Sequence, residues 1–210
     1  MSSGSTMLSA LARHLDPARL EQNVSLAPLT TFRIGGPADV FYRARTPDEL
    51  ASAVQAARAL GCPHFLLGNG ANILVGDGGF RGLVIRSEVG GVELIDETRI
   101  RAGAGVLTYP DLIDVTVRHG LGGLHHFVGI PSTVGGALWQ NLHFLAPAPQ
   151  RDRTLYIDEV LESAEILSEE GERTSVDVSY FGFGYDESIL HHRSDVVLTA
   201  AWAGVPRKAS

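Results

Sequence analysis

One stretch, "LLGNGANILVGDGGFRGLVI" at Leu66–Ile85, constrains the fold of this chain more than any other. Two apolar runs, each typical of a strand, flank a long segment that is rich in glycine and asparagine. Glycine permits positive φ and lets the main chain approach another group closely, and the chain holds 24 glycines among 210 residues. The segment is therefore either a bare main-chain surface that carries a function or a wide hairpin loop at the surface.

The centre of this stretch, Gly68–Asn72, has the composition of an anion-binding loop. Successive peptide N–H groups in such a loop can point inward and form a concave site for a phosphate. Asparagine side chains add amide donors and tolerate left-handed backbone. The segment is not a dinucleotide-binding fingerprint, because the third glycine is missing and no helix pattern follows, and no Gly-Lys-Ser/Thr marks a P-loop.

A second glycine-rich stretch, "GIPSTVGGALWQN", covers Gly129–Asn141. Pro131 fixes a turn, Thr133 offers a hydroxyl, and Gly135–Gly136 keeps the backbone bare, so the stretch predicts a second pyrophosphate-binding loop. The alternative is a helix N-terminus with a serine or threonine cap. Trp139, near the end of the stretch, is expected in the core.

A third stretch, "TTFRIGGPAD", places a cation between hydroxyl side chains and a glycine turn. Arg33 is the cation, and its guanidinium can pair with a phosphate. The alternative is a surface ion pair, which contributes little stability.

The regular elements predict an α+β fold of two packed lobes. The clearest is a helix that begins after Thr46, with Pro47 at its first position and Glu49 completing a capping box, and that ends before Gly61. A polar N-terminal tail leads into a short amphipathic helix. The other predicted elements are strands at Ala38–Ala44, Pro63–Leu67, Gly82–Arg86, Val92–Ile95, Arg99–Gly105 and Asp195–Trp202, a helix at Tyr109–Gly120 and a hairpin around Gly171.

Composition narrows the function classes. A formal net charge of −7 disfavours a nucleic-acid partner, which requires a basic surface. The longest apolar run, near Val196–Val205, is far shorter than the ~20 residues that cross a membrane, and the N-terminus lacks the pattern of a signal peptide. A single cysteine fits a reducing compartment, so the cytoplasm is expected. The adjacent pairs His125–His126 and His191–His192 are poorly spaced for one ion, and no metal is predicted.

Taken in series, these stretches resemble the UDP-N-acetylenolpyruvoylglucosamine reductase family, also called the UDP-N-acetylmuramate dehydrogenase or MurB family. The matching pieces run from Leu29 to Trp202 and follow the family's order and spacing. They are "TTFRIGGPAD", "LLGNGANILVGDGGFRGLVIR", "GAGVLTYPDLIDVTVRHGLGGL", "GIPSTVGGALWQN" and "FGFGYDESIL".

The resemblance implies an α+β, two-subdomain FAD-binding fold of the VAO/PCMH type, in which an extended FAD lies between the subdomains. The tail and a short helix would cover residues 1–22, and the FAD-binding domain residues 23–205, divided into 23–87 and 88–205. The family's C-terminal substrate domain has no counterpart in this sequence. The first loop lacks the histidine that often holds FAD covalently in this fold, so non-covalent FAD is expected. The residues that the resemblance assigns to FAD are Thr31, Arg33, Leu67, Gly68, Asn69, Gly70, Ala71, Asn72, Ile73, Gly129, Ile130, Pro131, Thr133, Val134, Gly135, Gly136 and Asn141.

In the family, NADPH reduces FAD, and hydride then passes to the enolpyruvyl ether of a UDP-sugar during peptidoglycan precursor synthesis. The resemblance places Tyr185 and Ser188 at catalytic positions. Asp186 stands where the family has an arginine, and Arg193 is either its substitute or a surface charge. The stretch after Asn141 also departs from the family pattern.

Two functions follow from the resemblance. The first is an oxidoreductase with NADPH and a UDP-sugar as partners. The second is a non-catalytic FAD-binding module, which Asp186 and the missing C-terminal third favour. An FAD-dependent oxidase is a further alternative, without a covalent-flavin histidine to support it.

Overall fold

The structure, a computed structural model, describes residues 3–149 and 151–206, so the tip of the predicted tail lies outside the described residues. The chain forms two compact units, one up to Val89 and the other from Gly90 on.

The first unit combines two helices with a four-stranded sheet. Its elements in chain order are α1 (Ser3–Leu11), β1 (Leu20–Ser25), β2 (Pro37–Ala44), α2 (Pro47–Ala59), β3 (His64–Leu67) and β4 (Phe80–Ser87), with short 3₁₀ turns at Pro17–Arg19 and Ala27–Leu29. The strand order is β1-β2-β4-β3. β1 is antiparallel to β2, whereas β4 runs parallel to both β2 and β3.

Helix α2 forms where the sequence predicts it. The Thr46 hydroxyl accepts the N–H of Glu49 at 3.2 Å, and the Glu49 carboxylate accepts the N–H of Arg45 at 2.8 Å. Gly61 follows the C-cap with φ of +59°, a left-handed value that favours glycine. The helical spacing of Leu50, Ala53, Val54, Ala57 and Leu60 predicts one apolar stripe, but Leu60 is 39% exposed because it is the C-cap beyond the last turn. The stripe residues Leu50, Ala53, Val54 and Ala57 are fully buried.

The glycine-rich connection Gly68–Gly79 joins β3 to β4, which are parallel neighbours. A hairpin joins antiparallel strands, so the structure excludes the hairpin alternative. Ile73 and Val75 of the connection pack against a small core that includes Leu67 and Val84. The connection is thus anchored on the sheet by its second half.

The second unit packs short helices against an antiparallel five-stranded sheet. Its elements are β5 (Val92–Leu94), β6 (Arg99–Gly103), a wide helical turn (Thr108–Leu112), α3 (Ile113–Arg118), β7 (Leu121–Gly122), α4 (Val134–Trp139), β8 (His143–Leu145), β9 (Thr154–Tyr156), β10 (Leu161–Leu167), β11 (Arg173–Asp177), β12 (Val196–Ala203) and β13 (Val205–Pro206), with 3₁₀ turns at Leu124–Phe127, Ile157–Glu159, Val178–Phe181 and Ile189–His191. The strand order is β11-β10-β12-β6-β5, while β7 pairs with β13 and β8 with β9.

One face of the five-stranded sheet carries the core of this unit. Ile100, Ala200 and Trp202 project from that face and belong to one buried cluster with Ile113 of α3 and Leu138 of α4. Arg101 on β6 and Thr199 and Ala201 on β12 alternate with these core residues and line the opposite face of the sheet. The single-sided core is typical of an antiparallel sheet.

The short elements are those that the sequence did not predict. β1, β7, β8, β9 and β13 were missed, and the predicted helix at Tyr109–Gly120 is regular only over α3. Among the residues described, no helix has the length and apolar character needed to cross a membrane.

Candidate functional site

The loop predicted at Gly68–Asn72 presents unpaired main-chain donors. The peptide N–H groups of Gly68, Asn69, Gly70 and Ala71 donate to no carbonyl among residues 3–149 and 151–206. These four residues are buried or partly buried. Peptide N–H groups withdrawn from bulk water require an acceptor, so the loop suits an anionic group such as a phosphate.

Thr31 ties this loop to the preceding segment of the same unit. Its N–H donates to the carbonyl of Gly70 at 3.0 Å, and its hydroxyl donates to the carbonyls of Ala71 and Gly70 at 3.1 and 3.3 Å. Gly70, with φ of +65°, lies so close to this segment that a Cβ would be 2.2 Å from the carbonyl oxygen of Leu29. Thr31 therefore shapes the loop from behind.

An apolar cavity of about 370 Å³ borders the same connection, within the roughly 300–1,000 Å³ that ligand pockets span. Leu67 and Ile73, both predicted FAD residues, contribute to its wall, together with Phe65 and Phe80. The Thr30 hydroxyl in the wall already donates to the carbonyl of Ile34 at 3.0 Å. The cavity therefore suits an apolar or flat group.

Arg33 is exposed and makes no ion pair with any carboxylate of the described residues. It adopts φ of +58° between the exposed side chains Phe32 and Ile34. The surface ion pair considered from the sequence is thus not seen in the described part of the chain, and the guanidinium is accessible to an anion.

The second glycine-rich stretch is organised as a capped helix. The N–H groups of Val134 and Gly135 donate to carbonyls within Ala104–Val106, each at 2.9 Å, and Gly136 N–H donates to the Thr133 hydroxyl at 3.3 Å. The structure therefore has the alternative arrangement, a helix N-terminus with Thr133 as its cap. The N–H groups of Gly135 and Gly136 are thus already used within the chain, and the assignment of these two residues to FAD binding stays a prediction.

The turn before α4 is more open. Gly129 is exposed with φ of +87°, and a Cβ there would meet no atom within 4 Å. Pro131 is also exposed, while Ile130 packs against the core and donates its N–H to Phe127 at 3.2 Å. Ligand contacts in this stretch would therefore involve the turn rather than the helix.

Asn141 is a buried connecting residue with φ of +50°. Its Nδ2 donates to the carbonyl of Gly184 at 3.1 Å, and its own carbonyl lies 3.1 Å from His143 Nδ1. Its Oδ1 has no partner among the described residues. Burial raises the pKa of nearby Asp158, and a hydrogen bond from Asn141 acts against that rise. Asn141 thus holds the segment that leads into Tyr185.

Tyr185 and Ser188, the predicted catalytic residues, have different settings. Tyr185 is 68% exposed and its ring lies 4.5 Å from the His143 ring. Ser188 is buried, and its hydroxyl donates to the carbonyl of Trp139 at 2.6 Å. The Asp186 carboxylate lies 3.9 Å from His143 Nδ1. His143 was not singled out from the sequence, and its only signal was its place in the stretch that departs from the family pattern.

The two tryptophans differ in their exposure to solvent. Trp202 is buried, but Trp139 is 47% exposed and stacks on His191 at 3.6 Å between ring centroids. The expectation that Trp139 lies in the core is therefore wrong, because α4 ends there and turns its last residue outward. The next residue, His192, has its Nε2 2.6 Å from a carboxylate oxygen of Glu187.

Arg193 belongs to a network of carboxylates. Its guanidinium lies 2.8 Å from Asp195, 3.0 Å from Glu170 and 3.1 Å from Glu169. Asp195, whose side chain is fully buried, also accepts the Tyr180 hydroxyl at 2.7 Å. Bonding to Asp195 and then Glu170 raises the pKa of Arg193. Because the Arg193 guanidinium is paired with these three carboxylates, it does not substitute for the arginine that Asp186 replaces.

Comparison with known proteins places these features in a family. Residues 38–177 match a family model described as an FAD binding domain. A UDP-N-acetylenolpyruvoylglucosamine reductase from Moorella thermoacetica is 38% identical over 202 residues, 95% of this chain and 64% of the relative. The crystal structure of UDP-N-acetylenolpyruvylglucosamine reductase (MurB) from Thermus caldophilus matches with a TM-score of 0.71 at 32% identity, covering 90% of this chain and 64% of that one.

A more distant likeness concerns the fold alone. p-Cresol methylhydroxylase with substrate bound matches with a TM-score of 0.65 at 13% identity, over 100% of this chain and 45% of that one. Together with the family match, it confirms the predicted α+β FAD-binding fold of the VAO/PCMH type. The chain spans less than two thirds of the length of the reductases that it matches.

Proposed function

Because the chain belongs to the FAD-binding domain family, we propose that it binds FAD, without a covalent bond, for the NADPH-dependent reduction of UDP-N-acetylenolpyruvoylglucosamine. The observation that carries the proposal is the run of unpaired N–H groups at Gly68–Ala71, in a chain 38% identical to a reductase of that name. We also propose a cytoplasmic location, in keeping with the soluble nucleotide substrates.

The loop of the first unit would hold the FAD diphosphate. Peptide N–H groups bind phosphate oxygens without adding net charge, and the accessible guanidinium of Arg33 adds a cation for the same anion. Thr31 and the Gly70–Leu29 approach fix the curvature of the loop. These features fit a diphosphate, and the adjacent apolar cavity accepts a ring of the cofactor.

The second unit would supply the side chains next to the reacting groups. FAD, when bound, supplies the carrier that takes hydride from NADPH and gives it to the enolpyruvyl double bond. Tyr185 offers an exposed hydroxyl, while Asn141 and Ser188 position its segment through the contacts with Gly184 and Trp139. His143, when protonated, offsets the negative charge of Asp186.

A non-catalytic FAD-binding module is the second candidate. Asp186 favours it, because a carboxylate beside a developing enolate opposes that charge.

Colour and reduction distinguish the two functions. We expect the purified chain to be yellow with flavin absorption bands. Under the reductase proposal, NADPH bleaches the bands without oxygen, and the enolpyruvyl UDP-sugar restores them. Colour without either response selects the module. A chain that binds no FAD from a saturating solution contradicts both.

A further inference from the structure

Asn69 differs from the other asparagines of the chain in the residue that follows it. The sequence contains four asparagines, and glycine follows only Asn69. Valine, isoleucine and leucine follow the other three, which are Asn23, Asn72 and Asn141. A side chain on the following residue hinders attack of that residue's main-chain nitrogen on the asparagine amide, and glycine has no side chain. The Asn69–Gly70 bond is thus the place in this sequence where such an attack is sterically open.

The two groups that would react are not held by hydrogen bonds. Among residues 3–149 and 151–206, the Gly70 N–H has no acceptor and the Asn69 side-chain amide has no partner. The amide of Asn141, by contrast, donates to the carbonyl of Gly184 at 3.1 Å. Asn69 is also partly exposed, so water reaches it. The Gly70 nitrogen and the Asn69 Cγ can therefore approach each other without breaking a contact of the fold.

The surroundings in the loop favour the attack. The N–H groups of Gly68 and Ala71, like that of Gly70, donate to no carbonyl in the part of the chain that the structure describes. Clustered main-chain donors of this kind attract negative charge, and an amide carbonyl under attack develops an oxyanion. The donors that suit a phosphate therefore also lower the barrier to attack on the Asn69 amide.

We propose that Asn69 is a deamidation site, at which the phosphate loop of the FAD-free chain modifies itself. The Gly70 nitrogen gives its proton to solvent and bonds to the Asn69 Cγ. The Cγ–Nδ2 bond breaks, and the nitrogen leaves as ammonia with a proton from solvent. Water then opens the cyclic imide at one of its two C–N bonds, which yields aspartate or isoaspartate. One water enters and one ammonia leaves, and nothing is oxidised or reduced.

The reaction alters the loop in charge and in shape. Either product carries a carboxylate at position 69, and isoaspartate also adds a carbon to the main chain next to Gly70. The Gly70 carbonyl accepts the Thr31 N–H at 3.0 Å, so a longer main chain disturbs the contact that shapes the loop. We therefore expect the deamidated chain to bind anions at this loop more weakly than the original chain.

Bound FAD would protect the site, and this part rests on the proposed function. A diphosphate oxygen that accepts the Gly70 N–H keeps that nitrogen from attacking, and its negative charge opposes the oxyanion. Deamidation then removes the binding loop from chains that have no cofactor and spares those that have one.

Peptide mapping by mass spectrometry follows the conversion of each asparagine in the FAD-free chain, kept folded in warm, mildly alkaline buffer. The same chain unfolded in urea gives the rate without any protection by structure. We expect Asn69 to convert within about tenfold of that rate, and the other three asparagines more slowly than Asn69. A folded chain that keeps Asn69 intact while the unfolded chain loses it overturns the proposal, as does faster conversion at another asparagine.

Two glutamine variants assign the reaction. Asn69→Gln should abolish the conversion, because the imide ring would be one atom larger and closes far more slowly. Asn23→Gln is the matched control in the same unit, and it should lose Asn69 at the rate of the original chain. Unchanged release of ammonia from the folded Asn69→Gln variant would overturn the assignment.

A saturating solution of FAD, with binding followed by flavin fluorescence, tests the protection. We expect bound FAD to slow the conversion of Asn69 about tenfold or more. Bound FAD that leaves the rate unchanged overturns the shielding of the Gly70 nitrogen. If the chain binds no FAD, the proposed function fails, and the rates in the FAD-free chain still decide whether Asn69 deamidates.

Discussion

At single residues, close approach of one backbone segment to another shapes the phosphate loop. Gly70 and Gly61 have nearly the same left-handed φ, +65° and +59°, but different surroundings. A Cβ at Gly70 would be 2.2 Å from the Leu29 carbonyl oxygen, whereas at Gly61 it would meet nothing within 4 Å. This comparison separates the cost of the conformation from that of the contact.

We expect Gly70→Ala to lower the free energy of unfolding by more than about 2 kcal/mol, and Gly61→Ala by about 1 kcal/mol. The first variant adds a clash with rigid backbone to the left-handed strain that both share. Urea unfolding followed by circular dichroism gives both values. Equal losses in the two variants would show that Gly70 is not closely packed.

Asn69 allows a test of the phosphate loop that adds charge without bulk. We expect Asn69→Asp to weaken FAD binding about tenfold or more, because a carboxylate would lie beside the diphosphate. Asn23→Asp is the control, since it adds the same charge at an exposed site of the same unit with φ of +52°. Flavin fluorescence titration measures both affinities, and equal affinities would remove Asn69 from the site.

Among the helices and strands, those stabilised by neighbouring residues could be predicted from the sequence. Hydrogen bonds to acceptors far away in sequence could not. Helix α2 was predicted because Thr46, Pro47 and Glu49 are adjacent to the turn that they stabilise. The N–H groups of Val134 and Gly135 are used by carbonyls of Ala104–Val106, which no local pattern reveals. The same reason hid the contact between His143 and Tyr185, which joins two elements far apart in sequence.

The start of β12 is tied to the β10–β11 turn by Asp195, which contacts Arg193, Tyr180 and the N–H of Glu169. We expect Asp195→Asn to lower the free energy of unfolding by about 2 kcal/mol, because the hydrogen bonds from Tyr180, Arg193 and Glu169 lose a charged acceptor. Asp186→Asn, at an exposed carboxylate, should change it by less than about 0.5 kcal/mol. Chemical denaturation measures both, and similar small values would show that the network adds no stability.

At the scale of the whole molecule, the fold class and the family were readable because five motifs occur in order along the chain. The partner and register of each strand could not be predicted from the sequence, since they depend on residues far away along the chain. The structure adds that the loop at Gly68–Ala71 in the first unit has unpaired donors, whereas the N–H groups of Gly135 and Gly136 in the second unit already donate within that unit.

The stability of the fold at acidic pH depends on carboxylates whose pKa values are lowered by hydrogen bonds in the folded chain. The N–H of Thr98, then Arg99, lowers the pKa of Asp96 to about 2, and Ser179 lowers that of Asp177. Folded pKa values below the unfolded ones, about 3.9 for aspartate, contribute stability that is present above the unfolded pKa and lost as pH falls through the folded values.

We therefore expect the free energy of unfolding to decline between about pH 4 and about pH 2. Asp96→Asn should make this decline shallower, because the variant has no carboxylate to protonate at that position. Urea unfolding across this range measures the slope for both chains. An identical slope in the variant would count against the role of Asp96.

Amide chemical shifts of the ¹⁵N-labelled chain during an FAD titration show whether the main-chain donors at Gly68–Ala71 bind the FAD diphosphate. We expect the amides of Gly68, Asn69, Gly70 and Ala71 to be among the most strongly shifted and to become protected from exchange with solvent. Saturation with FAD that leaves these four amides unchanged would contradict it.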